Sequence, residues 1–360
     1  MATLFLYLLV MLACMGLVNW SNQNNTKLGI YGAYVILIVV SIIRYDIGND
    51  YSAYMEMIRF LSYKLENNIP LGVDGKEPLI TILTYIFRGT AYPFLWVLGA
   101  HVIISIGFLY LAFEENDCHI MGIAILFISG LLFINWDQAR QGVSISIIIY
   151  AIKYIKEKQL LKYVFFVFLA VMAHYSALLL LPFYFIDRIK PQKFLYIGII
   201  LVLALSNAAT NFFVYLFENV ITSVPYWETK ETSYSYVQIV SLGYKLRIFF
   251  YGLVWSSIIY YLPDKERVLT NFLFIGAVIF IMASGALNIM RISFYMIFTT
   301  MISIPIVLKM EKSRIVMLAM VCGLFLFYVR DVITDTGTNG CVPYDTIFSE
   351  NFPNYSRSRM

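Results

Sequence analysis

The stretch FINWDQARQG, residues 133–142, places Asp137, Gln138, Arg140 and Gln141 between two apolar runs. Asp137, Gln141 and Ser144 follow at i, i+4 and i+7, a polar stripe on one helix face that Arg140 adjoins. Other ionisable residues interrupt apolar sequence in the same way: Arg44, Asp46 and Asp50 in IIRYDIGNDYSAY, then Arg88, His174 in MAHYS, Lys245, Arg247 and Arg291. A guanidinium offers a planar fork of N–H groups that matches phosphate oxygens and stays charged at physiological pH, so several of them with a lysine suit a diphosphate. A histidine beside carboxylates suits proton abstraction near neutral pH. Asp46, Asp50 and Asp137 carry oxygen ligands for a divalent ion, although their spacing is no signature of one. Taken singly, each residue also fits a plainer role, as an arginine snorkelling from a helix end or a histidine hydrogen-bonded in a core.

Elements that could hold such groups follow from composition. The chain is 60% hydrophobic and 13% charged, more apolar surface than a soluble domain could bury under its own polar residues. Apolar runs approach the roughly 20 residues that cross a bilayer as helix and lack the alternation of barrel strands. The expected fold is an all-α, polytopic transmembrane helical bundle over residues 1–360, with about 11–12 spans. The spans fall near 3–18, 28–43, 92–113, 119–135, 138–153, 160–186, 194–217, 244–262, 268–286, 289–308 and 314–329. The run 160–186 is short for two crossings, so a break near residues 172–176 predicts a hairpin with His174 at its tip. Residues 77–93, bracketed by Pro78 and Pro93, predict a re-entrant or interfacial half-helix. The first run lacks a basic leader and a clear cleavage site, and is expected to be retained as a helix.

Lys and Arg crowd three short loops, Lys153–Lys162, Asp187–Lys193 and Lys309–Arg314, which the positive-inside bias makes cytoplasmic. The net charge of +4 then reports orientation, not a nucleic-acid partner. Loops 44–78 and 218–243 and the tail 330–360 fall outside. Loop 44–78 holds six acids against four bases, which agrees. The acidic turn Glu114–Asp117 falls inside, against its charge. On this topology every interrupting residue named above sits near the outer end of its span, and one outward-facing cavity is the simplest common cause. Charges at such depth are costly unless they face water or a partner. Four cysteines share no short spacing, so neither a disulfide nor a metal site is implied. No phosphate-binding glycine loop, zinc-protease pattern or intramembrane serine motif is present.

IIRYDIGNDYSAY (42–54) resembles the RY-x-x-G-x-D-Y-x-x-Y segment of the EpsG family, membrane proteins of exopolysaccharide synthesis similar to Wzy-type O-antigen and capsule polymerases. EPL (77–79), ARQG (139–142), AHYSALLLLPFY (173–184), MRISFYM (290–296) and VPYDTIF (342–348) follow in the family's order. The resemblance covers nearly the whole chain and admits a GT-C-like arrangement of helices. It implies a glycosyltransferase of the bacterial inner membrane that joins undecaprenyl-diphosphate-linked oligosaccharides at the periplasmic face, without metal or other cofactor. Arg44, Arg140 and Arg291 match motif arginines and would grip diphosphate; His174 matches the motif histidine and Asp50 the motif aspartate. Lys245 and Arg247 join the diphosphate set from position alone. His174, Asp50 and Arg140 form the expected catalytic group, with His174 the first choice of base and Asp50 the second. Membrane lipid, a chain-length regulator and a flippase are the further partners this reading admits. The outer loop 218–243 is shorter than in many Wzy-type relatives. Two rivals stay open: a flippase for the lipid-linked oligosaccharide, which should show internal repeats, and an O-acyltransferase of surface glycans, which needs a polar path from the cytoplasm.

Overall fold

The computed structural model describes residues 1–71, 77–206, 242–284, 287–334 and 340–348. The fold is all-α. Among the described residues no strand forms, and Arg44 and Thr346 make one isolated antiparallel bridge. The helices are α1 (Ala2–Gln23), α2 (Leu28–Ile42), α3 (Tyr51–Glu66), α4 (Pro78–Phe87), α5 (Pro93–Glu115), α6 (His119–Ile128), α7 (Leu131–Asp137), α8 (Ala139–Lys156), α9 (Leu160–Ala173), α10 (Lys193–Leu205), α11 (Leu242–Tyr261), α12 (Arg267–Met282), α13 (Leu287–Ile297), α14 (Thr300–Leu308) and α15 (Glu311–Thr334). They cluster into two compact units, Met1–Leu181 with Cys322–Met360, and Pro182–Val321.

Length and hydropathy make α1, α5, the pair α13–α14 and α15 candidate membrane spans, and α6 with α7 a fifth, bent by 63° at its break. The α6–α7 bend falls at Gly130, whose φ of +76° ends one helix and starts the next. Helices α2, α4, α9 and α10 are apolar but only 10–17 residues long. The break expected at 172–176 is present: α9 ends at Ala173, and a 3₁₀ stretch runs from Tyr175 to Arg188. The half-helix expected in 77–93 is α4.

In the first unit α5 and α8 pack side by side, flanked by α2 and α9, while α1 lies on α2 and α6. Hydroxyls join them where apolar chains alone would leave no directional contact. Ser105 and Ser146 meet at 2.8 Å between α5 and α8, and Ser144 donates to the Ala170 carbonyl of α9 at 2.9 Å. One end of this unit collects Lys27, Glu114, Glu115, His119 and Lys153. Glu114 pairs with Lys27 at 2.5 Å and His119 at 2.8 Å, and Glu115 with Lys153 at 3.1 Å. The two lysines account for the acidic turn that ran against the charge rule.

Two segments expected as an outside loop and an outside tail are structured. Residues 51–66 form α3, which buries Tyr51, Tyr54, Ile58 and Leu61 along one face, the first three against Phe94, Val97 and Leu98 of α5. The tail does not hang free: beyond α15, residues 340–348 lie across 43–48, with Ile347 N–H on the Ile43 carbonyl at 2.9 Å, Tyr45 N–H on Asp345 at 3.0 Å and Gly48 N–H on Gly340 at 3.0 Å. Tyr7 donates its hydroxyl to the Cys341 carbonyl, and Tyr344 its own to Val40 at 2.6 Å. The loop 218–243 lies, but for its last two residues, outside the described residues.

In the second unit Arg267 grips Asp187 with Nε at 2.6 Å and Nη2 at 2.9 Å. Asn271, buried, takes the Ile186 and Ile189 carbonyls at 3.1 and 2.9 Å and accepts Tyr196 at 3.0 Å, fixing the end of the 3₁₀ stretch to α10 and α12.

Candidate functional site

Three chain ends meet in the first unit. Glu77 stands immediately before α4, where Pro78 occupies the first helical position and its missing N–H leaves nothing unsatisfied. His174 caps α9 in an extended conformation, so its side chain leaves the helix where the chain changes direction. Arg140 is the second residue of α8. The Glu77 carboxylate accepts from both partners, Oε1 from His174 Nδ1 at 2.7 Å and Oε2 from Arg140 Nη1. Glu77 is 5% exposed, whereas the side chains of Arg140 and His174 keep 25% and 30% of their surface, so the pair forms the open side of the cluster.

Burial pushes the Glu77 carboxyl up, but the hydrogen bond from His174 and the charge of Arg140 outweigh it and hold it down at about 2. Glu77 is therefore an anion at any working pH. With Nδ1 facing that anion, His174 Nε2 is the imidazole nitrogen left to accept a proton. Arg140 is held from its other side by Tyr54, whose hydroxyl accepts Nε at 3.4 Å and whose ring lies 5.5 Å from the guanidinium carbon. Among the described residues Nη2 has no acceptor. A cation in the first turn of a helix opposes the helix dipole. Arg140 is thus poorly placed as a helix-end anchor and well placed to present positive charge.

Asp50 and Asp137 are joined through the backbone: Asp137 Oδ1 accepts the Asp50 N–H at 3.0 Å, at the start of α3. Gly48 makes this contact geometrically feasible. Its φ of +103° suits glycine, and a Cβ there would stand 3.0 Å from the Asp137 Cα. Arg44, expected to grip diphosphate, is 2% exposed and spends its guanidinium on the Ser41 and Trp136 carbonyls. Arg88 folds onto its own helix, 3.8 Å from the Tyr85 ring.

Lys245, Arg247 and Arg291 belong to the second unit. There Lys245 is exposed, Arg247 donates Nε to the Tyr251 hydroxyl at 3.1 Å, and Arg291 is half-buried in α13. Tyr244 reaches the Ser284 carbonyl at 3.3 Å and the Met290 sulfur at 3.9 Å, which brings the starts of α11 and α13 together. The site residues therefore fall into two sets, one in each unit.

A family model matches residues 28–346, a range that takes in every residue of the Glu77 cluster. The chain belongs to the EpsG family. This is the family of Wzy-type polysaccharide polymerase-like proteins, and the chain is accordingly a membrane protein of polysaccharide biosynthesis. No curated protein and no solved structure matches it. Within this EpsG protein, Glu77 is the residue that motif reading did not assign. It stood in the quoted EPL segment, and the signal was an acid fixed by proline at the mouth of a helix too short to cross. Among the described residues no three His, Cys, Asp or Glu side chains gather as a metal-binding group.

Proposed function

We propose that this EpsG protein polymerises undecaprenyl-diphosphate-linked oligosaccharide repeat units at the periplasmic face of the bacterial inner membrane. The carrying observation is that one buried carboxylate, Glu77, holds an imidazole and a guanidinium from two other elements side by side with both partly open. Depth supports the sidedness: along α8 Arg140 and Lys153 stand about 20 Å apart at helical rise, and Lys153 belongs to the lysine-rich end.

In the proposed reaction His174 Nε2 takes the proton from an acceptor sugar hydroxyl. The freed oxygen attacks the anomeric carbon of the growing chain, and the bond from that carbon to the diphosphate oxygen breaks. Undecaprenyl diphosphate leaves with the bonding pair. Arg140 faces the charge that develops on the leaving oxygen, an interaction stronger in the transition state than in the bound substrate. Glu77 keeps the imidazole in one orientation and stabilises the imidazolium once the proton is on it. Asp50 is the second candidate for the base.

The test is purified protein in bilayers supplied with short lipid-linked repeat units, with and without chelator. A ladder of products is expected in both samples. Transport of the lipid without a ladder would instead identify a flippase. His174→Ala should give no ladder with the protein still in the membrane, and Arg140→Lys should lose most of it, since a point charge cannot replace a fork. A normal ladder from His174→Ala would remove His174 as the base.

A further inference from the structure

Segment 44–54 touches the elbow between α7 and α8 at three successive points. Arg44 Nη2 donates to the Trp136 carbonyl at 3.3 Å, and its guanidinium carbon lies 5.7 Å from the Trp136 ring. Asp50 N–H lies on Asp137 Oδ1 at 3.0 Å, and the Tyr54 hydroxyl on Arg140 Nε at 3.4 Å. The contacts keep chain order, with Gly48 seated on the Asp137 Cα between the first two. At its near end Arg44 Nη1 also holds the Ser41 carbonyl, while Ser41 Oγ accepts Trp136 Nε1 at 2.9 Å. Arg44 thus closes a ring joining α2, segment 44–54 and the end of α7.

We propose that this segment is a template for the elbow, and that Arg44 and Asp137 are positioning residues for Arg140, not ligands of the diphosphate. Two facts favour this over a phosphate role. Arg44 is 2% exposed, so a lipid-borne anion would have to enter the interior to reach it. Its planar fork is already committed to two carbonyls on separate elements, Ser41 and Trp136, so both terminal nitrogens serve the fold. Its Nε has no acceptor among the described residues, and a phosphate oxygen there is the alternative that must be tested. Loss of the tie frees the start of α3, moves Tyr54, and lets the Arg140 fork turn. A displacement of an ångström at a reacting group is worth up to about 100-fold in rate.

The proposal rests on the polymerase reading for its rate measurement only. Full-length wild type, Arg44→Gln, Arg44→Lys, Asp137→Ala, Asp137→Asn and Arg140→Gln are to be compared in nanodiscs. Three quantities are read: affinity for undecaprenyl diphosphate, ladder formation, and hydrogen exchange of the amides of residues 50–56. Arg44→Gln and Asp137→Ala should lower turnover by about tenfold or more, leave undecaprenyl diphosphate affinity within about twofold, and speed exchange at 50–56. Asp137→Asn, which keeps an acceptor for the Asp50 N–H, should recover both turnover and protection. Arg140→Gln should weaken affinity without changing exchange at 50–56. If Arg44→Gln lowers the affinity about tenfold while exchange stays as in wild type, the positioning role is wrong and Arg44 is a ligand. Should Arg44→Gln fail to fold, the two Asp137 variants decide: equal turnover and exchange in both overturns the template. If wild type makes no ladder, the polymerase reading fails, while the exchange and affinity arms still decide the template.

Discussion

Glu77 accepts a guanidinium and an imidazole whose positions are 63 and 97 residues away in the chain, and its ionisation should be visible in stability. Its carboxyl titrates at about 2 in the folded protein against an ordinary 4.5. A depressed value means that the ionised form stabilises the folded state. That contribution is complete above about pH 4.5 and disappears as pH falls toward 2. Thermal unfolding in detergent should therefore show the melting temperature of wild type falling more steeply between about pH 5 and 3 than that of Glu77→Gln. At neutral pH the same variant should lose about 100-fold in polymerisation, since neither the imidazole nor the guanidinium keeps its anion. Wild-type turnover in Glu77→Gln would show that the carboxylate does not orient them. Arg140 and His174 were legible in the sequence because a charge or an imidazole inside apolar runs is unusual. Their common partner was not, because which chain ends meet depends on packing that periodicity does not report.

Helices meet in this fold where small residues let them. Gly142, in the first turn of α8, faces α7 so closely that a Cβ would stand 2.9 Å from the Asn135 Cα, with the Asn135 side chain closer still. Gly142→Ala should force the elbow open. The expected cost is about 1–3 kcal/mol, read as a lower melting temperature and accompanied by weaker polymerisation, because Arg140 sits two residues before the glycine. An unchanged melting temperature would mean that α7 gives way freely. At this scale α3 is instructive. Its buried residues Tyr51, Tyr54, Ile58 and Leu61 recur at helical intervals, a pattern present in the sequence but masked by the acids and bases on its other face. By contrast, the break after Ala173 was legible from length alone, since two full crossings do not fit in 27 residues.

For the molecule as a membrane protein, the first unit makes a directional statement. Glu115 and Lys153 mark one end, Glu77 and His174 the other. Single cysteines introduced at Asn116 and at Tyr92, in a background with exposed Cys322 replaced, should react with an impermeant thiol reagent from opposite sides of the membrane. Asn116 is expected to label only from the cytoplasm and Tyr92 only from the periplasm; labelling of both from one side would overturn the topology. The grouping into two units was not legible, because hydropathy counts spans and does not say which of them pack together.

Residues 340–348 hold the backbone of 43–48, and the hydroxyl of Tyr7 holds a carbonyl 334 positions later. Translation therefore delivers the anchor for residues 43–48 nearly three hundred residues after the segment it holds. During synthesis the early helices must wait in the bilayer until these partners arrive, with the Gly48 N–H still lacking the Gly340 carbonyl and the Tyr7 hydroxyl still lacking that of Cys341.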